Sequence, residues 1–500
     1  MRVLAPSTTA TIQPPEFSLK DILGPLVAIV LGTIMAILDS TIVNVALPTL
    51  ERVFAVDLGT MQWVITGYLL AQAAVIPLAG WLSDRFSARR IYLTALVLFA
   101  IGSALCALAT SAPLLIGFRI LQGLGGGMLQ PVGMAILYRL APAERRGQVM
   151  GVFGIPILIG PALGPVLSGW LVQYADWRFI FLINVPVGVI AFVLGRRALP
   201  RLAAQRSVGS LDSVGAILGP LGFAAITFGI SQSTTAGWTG ASTLAGIALG
   251  LLALAAFAWR ELTATTPLLD LHVFRSRVFV LAILTQWVSQ IAMFGSLFLV
   301  PVFLQQVRGY GSFTTGLATV PQSVVAAVFM PIGGRLFDRF GVRLPALSGL
   351  VLVVVSLWQL SRLSVTTSPI DLIVPLSVWG AGLGLMLMPL NTYLLNAAPR
   401  ALVSRVTALT GALGTVVGSL AIASFATIFQ GRTDVYVAAG ISGGLPVAMA
   451  HAFDETFVVA AIIGVSSLFL AVLLPPRPAE LPDDVEHIVD YSSEPVEVGG

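Results

Sequence analysis

The chain has 500 residues, of which 57% are hydrophobic and 10% are charged, and its mean hydropathy is +0.94. Soluble globular domains carry about 25% charged residues, so this composition excludes an ordinary water-soluble protein. One cysteine and three histidines far apart in sequence exclude a disulfide framework and argue against a local metal site. No Walker-type phosphate loop occurs in the sequence, which argues against ATP-driven pumping by this chain.

Fourteen apolar stretches are long enough to cross a bilayer as helices, for which roughly 20 apolar residues are needed. They cover 23–47, 59–81, 91–110, 113–138, 147–172, 178–195, 213–231, 241–259, 278–304, 314–336, 344–361, 371–396, 403–429 and 455–474. The first stretch is too long for a signal peptide and contains Asp39 and Asn44. The sequence therefore predicts an all-α integral membrane protein, in which the longest outer loop, 430–454, could be partly helical.

The arginines predict the orientation of these helices. Eighteen arginines fall in one set of alternating loops and five in the other, and cytoplasmic loops are the arginine-rich ones. The chain is therefore predicted to be a multi-pass plasma membrane protein with both termini in the cytoplasm. The polar arm 1–22 and the acidic tail 475–500 are predicted to be disordered.

An internal repeat divides the chain. The pattern P-x-x-G-x-L-x-D-R occurs at 77–85 and again at 331–339. Eight predicted helices separate the two copies, where a protein of two six-helix halves would have six. The repeat predicts an N-terminal half at 23–195, a C-terminal half at 278–474, and linkers with two extra helices at 196–277. Parallel repeats around a central pathway are typical of two-halved transporters.

Two charged residues lie well inside the predicted spans. Asp39 and Arg119 are about eight and six residues from the outer ends of their helices, or roughly 12 and 9 Å deep. An ionisable residue inside a membrane is costly and usually functional. We therefore predict that Asp39 exchanges protons during transport and that Arg119 approaches Asp39 or a shared water cluster in at least one state. Two structural alternatives stay open: a carboxyl that hydrogen-bonds to neighbouring helices, for example through Asn44, and an arginine that snorkels to the outer surface.

Two further motifs indicate moving parts. The repeated loops are predicted to act as cytoplasmic latches through Gly80, Asp84, Arg85, Gly334, Asp338 and Arg339. The fifth stretch has a G-P-x-x-G-P pattern, predicted to form a bendable, tightly packed gate through Gly160, Pro161, Gly164 and Pro165.

Amides and aromatic residues within the spans are candidates for a substrate cavity. They are Gln72, Gln130, Gln286, Trp287, Gln290, Phe294, Gln322, Asn391 and Tyr393. An apolar cavity with aromatic faces suits lipophilic cations, although helix packing explains any single one of these residues at least as well.

Six segments together indicate a family. They are LDSTIVNVALP (38–48), GWLSDRFSARR (80–90), FRILQGLGGG (118–127), IGPALGP (159–165), WRFIFLINVPVG (177–188) and TPLLDLHVFRSRVF (266–279). In this order and on these helices they resemble the fourteen-helix drug:proton antiporters of the major facilitator superfamily, the family of EmrB and QacA. The family usually has Gly and Arg at the positions of Ser87 and Ala88, so the first loop departs from its pattern, whereas the second keeps Gly341.

The resemblance implies a major facilitator fold with two six-helix halves plus two extra helices. It implies a multidrug efflux antiporter driven by the proton gradient, with Arg119 taking part in proton coupling and with no cofactor and no nucleic acid partner. Some family members that handle divalent cations carry acids in late helices, and spans 10 and 13 have none, so monovalent or neutral substrates are expected. The resemblance also implies a bacterial inner membrane and leaves room for a periplasmic adaptor protein.

Three other functions remain open from the sequence alone. A dedicated exporter of a native metabolite, such as a peptide, lipid or siderophore, would have the same fold. A sensor or scaffold that uses the acidic tail for partners would show no substrate flux and would tolerate Asp39→Asn. A membrane-embedded enzyme needs clustered catalytic groups, which one buried acid and one buried arginine do not supply.

Overall fold

The computed structural model describes residues 19–200, 211–264, 267–269, 271–399 and 402–476. Within these ranges the chain is helical and contains no strand. The long helices are α1 (Leu19–Phe54), α2 (Leu58–Phe86), α3 (Ala88–Ala107), α4 (Ala112–Leu140), α5 (Arg146–Tyr174), α6 (Phe179–Ala198, interrupted at Ile183), α7 (Gly215–Ala236), α8 (Ala241–Thr263), α9 (Arg277–Val302), α10 (Ser312–Phe340), α11 (Arg343–Leu360), α12 (Ile373–Asn396), α13 (Val403–Ala438) and α14 (Gly444–Leu473).

These helices agree with the predicted membrane spans. Thirteen are long and apolar enough to cross a bilayer, and α5, which bends by 45° between Pro161 and Val166, makes a fourteenth if its two arms are one span. The predicted all-α membrane fold is confirmed. We call α1–α6 the N-half and α9–α14 the C-half, after the sequence repeat.

Three boundaries differ from the sequence prediction. Helix α1 begins at Leu19, inside the predicted arm. Helix α13 continues to Ala438 and α14 begins at Gly444, so most of the predicted outer loop 430–454 is helical. The remainder of the arm, 1–18, and the tail from residue 477 lie outside the described residues.

The two extra helices form a tight hairpin. Gly229 of α7 faces Gly246 of α8 so closely that an added methyl group on Gly229 would lie 2.7 Å from the carbonyl carbon of Gly246. At the base of the hairpin, Arg260 Nε lies 2.9 Å from Asp212 Oδ2. Burial raises the pKa of Asp212, but hydrogen bonds from Arg260 and from backbone N–H groups outweigh burial and hold this pKa below its usual range.

The hairpin packs beside both halves. Helix α7 contacts α2 of the N-half and α13 of the C-half. The ring of Trp63 on α2 stacks on Phe228 at a centroid distance of 6.0 Å, and Trp238 Nε1 donates to Thr427 Oγ1 on α13 at 2.6 Å. The extra helices therefore contact both halves. A second contact between the halves is made directly by α5 of the N-half and α10 of the C-half.

Candidate functional site

An ion pair lies in the interior of the N-half, between α1 and α4. Nη1 of Arg119 is 2.5 Å from Oδ2 of Asp39, and the side chains are 1% and 0% exposed. The similar depth of the two residues predicts this approach, and the structure places them in contact. Because the opposite charges balance, the pair avoids the cost of burying a single ion.

Neutral polar side chains surround the ion pair. Gln122 accepts from Arg119 Nη1 at 2.8 Å and donates from Nε2 to Asp39 Oδ1 at 2.9 Å. Asn184 on α6 donates to the same Oδ1 at 2.8 Å and to Ser103 Oγ on α3 at 3.0 Å. Three helices of the N-half, α1, α4 and α6, thus meet at one carboxylate, and α3 is linked to it through Asn184.

Helix α2 fixes the guanidinium from the other side. Arg119 Nε donates to the Val64 carbonyl oxygen at 3.1 Å, and its central carbon lies 3.9 Å from the centroid of the Tyr68 ring. The Tyr68 hydroxyl in turn donates to the Ala36 carbonyl oxygen on α1 at 3.3 Å. The arginine is therefore held by an ion pair, hydrogen bonds and a cation–π contact together.

The neutral members of this site were not predicted from the sequence. Gln122 and Asn184 occur in the motifs FRILQGLGGG and WRFIFLINVPVG. The presence of an amide side chain within a predicted span was the feature from which both residues could have been identified. Tyr68 gives no comparable signal. The side chain of Asn44, the suggested alternative partner of Asp39, lies outside the described part of the structure.

The opposite face of α1 packs against the bent helix α5. A methyl group added to Gly160 would overlap the Ile37 side chain, and one added to Gly164 would overlap Thr41 Oγ1. Ile37 and Thr41 flank Asp39 along α1, so the ion pair and the α5 bend share one helix. Gly160, Pro161 and Gly164 lie at this bend, where the sequence predicts a gate. The Pro165 side chain is outside the described residues.

The second predicted latch joins α10 to the start of α5. The two carboxylate oxygens of Asp338 accept hydrogen bonds from the backbone N–H groups of Gly147 at 2.8 Å and Gln148 at 3.0 Å. A carboxylate at a helix N-terminus is favourable because the unpaired N–H groups and the helix dipole attract negative charge. A methyl group on Gly334 would overlap the Gly147 carbonyl oxygen, so this glycine allows the two backbones to meet.

The first predicted latch joins α2 to the start of α13 by different chemistry. Asp84 lies 3.2 Å from Arg139 Nη2 and 3.5 Å from Arg405 Nε. A methyl group on Gly80 would lie 2.9 Å from the Arg405 Cα atom, so the backbones again approach closely. Arg85, like Arg339 in the second loop, is exposed, and the cations that face Asp84 are Arg139 and Arg405, which the sequence did not single out.

The candidate cavity residues do not form one group. Gln286 Nε2 donates to Asn391 Oδ1 at 2.7 Å, and Gln290 lies one turn further along α9, beside the same small space between α9 and α12. Three other candidates pack against glycines of neighbouring helices: Gln72 against Gly126 and Gly127 of α4, Phe294 against Gly418 of α13, and Gln322 against Gly380 of α12. The remaining three differ in exposure: Tyr393 is fully buried, Trp287 is half-buried and Gln130 is exposed. No group of three or more potential metal-ligating side chains occurs in the described ranges.

The long apolar helices, the repeated loop motif and the buried ion pair together indicate a polytopic membrane transporter. The family model of the Major Facilitator Superfamily matches residues 29–423, and the chain belongs to this superfamily of transporters.

Relatives and solved structures agree with this assignment. The chain is 40% identical to a multidrug resistance protein B homolog of Mycobacterium tuberculosis over 72% of this chain and 68% of the relative. It is 32% identical to lincomycin resistance protein LmrB of Listeria monocytogenes over 89% of this chain and 96% of the relative. The human organic anion transporter MFSD10 superimposes with a TM-score of 0.62 at 17% identity, covering 92% of this chain and all of that chain. The resemblance predicted from the motifs is confirmed: the chain is related to drug-resistance exporters of this superfamily.

Proposed function

We propose that this protein is a proton-coupled exporter of lipophilic compounds, monovalent cations or neutral molecules, working by alternating access. The observation that carries the proposal is the Asp39–Arg119 ion pair, which is buried inside the N-half with at most 1% exposure of either side chain. The relationship to multidrug and lincomycin resistance proteins supports efflux as the direction of transport.

The ion pair offers a physical route from protonation to movement. A proton on Asp39 removes one charge of the pair and leaves the Arg119 cation buried without its counter-ion. Leaving one partner of a buried pair alone costs about 3–5 kcal/mol, so Arg119 must find new partners or water. Because α1 carries Asp39 on one face and contacts the bend of α5 on the other, such a rearrangement reaches the helix that packs on the C-half.

In the proposed cycle, Asp39 takes a proton from outside and the two halves reorient. The proton then leaves to the cytoplasm, and the substrate leaves to the outside. The contacts of Asp84 and Asp338 keep the cytoplasmic ends of the halves together in the conformation described here. Opening toward the cytoplasm requires both latches to separate.

The test is ethidium efflux from energised cells that express the wild type or Asp39→Asn at matched membrane abundance. We expect uncoupler-sensitive efflux from the wild type and a loss of at least tenfold in the mutant. Asp176→Asn is the matched control, because it makes the same change at a residue 47% exposed beside Arg178, and it should keep wild-type efflux.

Two results would contradict the proposal. Efflux that persists in Asp39→Asn would remove this carboxylate as the essential proton carrier. A wild type that exports no lipophilic cation would favour a dedicated exporter of a native metabolite, and cell extracts would then be screened for the compound.

A further inference from the structure

Glu261 is a buried acid that the proposed transport cycle does not use. It lies near the end of α8, directly after Arg260, and its side chain is 0% exposed. One carboxyl oxygen, Oε2, accepts a hydrogen bond from the backbone N–H of Leu269 at 2.8 Å. The other oxygen, Oε1, is buried without a hydrogen-bond partner among the described residues. An ionised carboxylate is unfavourable in such a place, so the surroundings favour a proton on Oε1.

The nearest charged groups favour the same protonated form. A methyl group added to Gly215 would lie 2.8 Å from Glu261 Oε1 and 2.9 Å from Asp212 Oδ2, so two carboxyl groups approach one glycine. Arg260 pairs with Asp212, which favours a negative charge on Asp212. A like charge nearby disfavours ionisation, and the neutral form therefore falls to Glu261.

Other cations face Glu261 from two further elements. Arg405 of α13 acts on it through space, but the guanidinium of this arginine is directed to other partners. His272 and Arg275 belong to the short turn after the linker that packs against α8, and both of these side chains are exposed. Neither element thus brings a cation into hydrogen-bond contact with Oε1 in the part of the chain that the structure describes.

The segment that binds Glu261 also binds the first latch. The carbonyl oxygen of Pro267, two residues before Leu269, accepts a hydrogen bond from Arg405 Nη1 at 2.9 Å. Arg405 Nε lies 3.5 Å from Asp84 Oδ2, and neither of these two atoms has a hydrogen bond within the described ranges. This short linker segment therefore connects the buried acid on α8 with the contact between α2 and α13.

We propose that Glu261 is a second proton-binding site, which controls the first latch. It holds a proton while the latch is closed. Separation of α2 from α13 frees Arg405, displaces the linker segment and admits water to the carboxyl group, which then ionises. This inference rests on the alternating access of the proposed function and assigns it a point of regulation. Because the proton is taken up and returned on the same side of the membrane, it adds no charge to the transport cycle.

The experiment measures the opening of this end of the bundle in the purified full-length protein in lipid nanodiscs. Spin labels at Phe86→Cys on α2 and Phe340→Cys on α10 occupy exposed positions directly after the two repeated motifs, and electron spin resonance gives the distance between them. Since the closed form holds one more proton, the ratio of open to closed molecules should rise at least fivefold from about pH 6 to about pH 8.

Glu261→Gln is the test variant, because it stays neutral and keeps an oxygen for the Leu269 N–H. It should remain closed, and its ratio should change less than twofold over the same pH range. Glu261→Met, which has no polar atom in its side chain, should also lose the pH response and replaces the glutamine variant if that variant does not fold. Glu51→Gln makes the same change near the opposite end of the bundle, at the end of α1, and should respond as the wild type.

The sign of the response separates Glu261 from the acid of the second latch. The ionised form of Asp338 binds the backbone N–H groups of α5, so this residue alone would close the bundle as the pH rises. An open fraction that falls with rising pH would overturn the inference, and so would a full response in Glu261→Gln. Labels that never separate, with or without ethidium, would contradict alternating access itself, which distinguishes failure of the proposed function.

Discussion

Arg119 combines several contacts that only a guanidinium can make at once. Its Nη1 contacts both Asp39 and Gln122, its Nε reaches the Val64 carbonyl oxygen, and its flat face lies on Tyr68. A lysine ammonium is a point charge on a flexible stem and cannot reproduce this fixed fork. The identity of the cation is therefore as important here as its charge.

We expect Arg119→Lys to lose at least tenfold in uncoupler-sensitive efflux although it keeps the charge. Arg362→Lys is the control, because Arg362 is exposed and lies over Trp358 on the outer side of α11. Efflux should be measured at equal membrane abundance. A fully active Arg119→Lys would show that charge alone is needed and that the geometry of the pair is incidental.

A turn follows each of the two repeated loop motifs, and the residue at this turn is serine in the N-half and glycine in the C-half. Ser87 and Gly341 have φ angles of 80° and 79°, a left-handed conformation that costs a residue with a side chain about 1–2 kcal/mol. The first loop departs from the family pattern and has a strained backbone at Ser87, where ψ is 127° and not the −170° of Gly341. The second loop has the residue that the turn favours.

A substitution at Gly341 tests this difference. Gly341→Ala should lower the free energy of unfolding by about 1 kcal/mol, measured as a lower thermal midpoint of the purified protein. Gly431→Ala, on α13 with open space around it, should leave the midpoint unchanged or raise it slightly. Equal midpoints for Gly341→Ala and the wild type would mean that the turn relaxes without cost.

The ion pair could be predicted from the sequence, but its surroundings could not. Depth along two helices is enough to place Asp39 and Arg119 at the same level. Which amide side chains reach them depends on which helices are neighbours, and hydropathy does not predict which helices are neighbours. Asn184 is 145 residues from Asp39 in sequence and 2.8 Å from it in space.

At the scale of the helices, the bend of α5 depends on small residues that face α1. Gly160 and Gly164 leave no room for a side chain against Ile37 and Thr41, whereas a methyl group added to Gly169, further along the same helix, would meet no neighbouring atom within 4 Å. The glycines therefore set how closely the bent helix approaches the turn of α1 that carries Asp39.

Gly164→Ala should reduce efflux several-fold, because the added methyl group pushes α5 from α1 and alters the bend. Gly169→Ala makes the same change without a clash and should behave as the wild type. The comparison needs efflux rates and thermal midpoints of both variants. Wild-type efflux by Gly164→Ala would indicate that the two helices need not stay in contact during the cycle.

The lengths of α13 and α14 show where hydropathy fails to predict helix ends. Polar residues such as Arg432 and Glu455 end the apolar stretches, and the segment between them therefore reads as a loop. In the structure these two residues form an ion pair between the helices, and Tyr436 donates to Glu455 at 2.5 Å. Cross-helix polar contacts of this kind support a helix beyond the apolar stretch, and the sequence does not show that such contacts exist.

For the whole molecule, the arginine distribution predicts an orientation that labelling can measure. Ala439 and Ala143 are both exposed at opposite ends of the bundle, and the one native thiol, Cys106, is buried. In intact cells a membrane-impermeant maleimide should label Ala439→Cys. Ala143→Cys should react only after the membrane is opened. The reverse pattern would contradict a cytoplasmic location of the termini.

The proposed exchange also predicts its driving force. One proton entering for one monovalent cation leaving moves no net charge, so the membrane potential, worth about 2.3 kcal/mol per charge at 100 mV, does no work. Efflux of a monovalent cation should therefore stop when an ionophore collapses the pH gradient. It should continue when only the potential is removed. Loss of efflux when only the potential is removed would require more than one proton per cation.

Helix α13 has a mechanical consequence because it is a single rod that extends past the apolar core. Its 36 residues give a length of about 54 Å at 1.5 Å per residue. One end carries Arg405 in the first latch, and the other carries Arg432, bound to α14. If the rod pivots by about 10° at the end that carries Arg405, the end that carries Arg432 travels roughly 9 Å over that length. A small rotation at the Arg405 end is thus amplified over the length of the helix into a displacement of several ångströms at the Arg432 end.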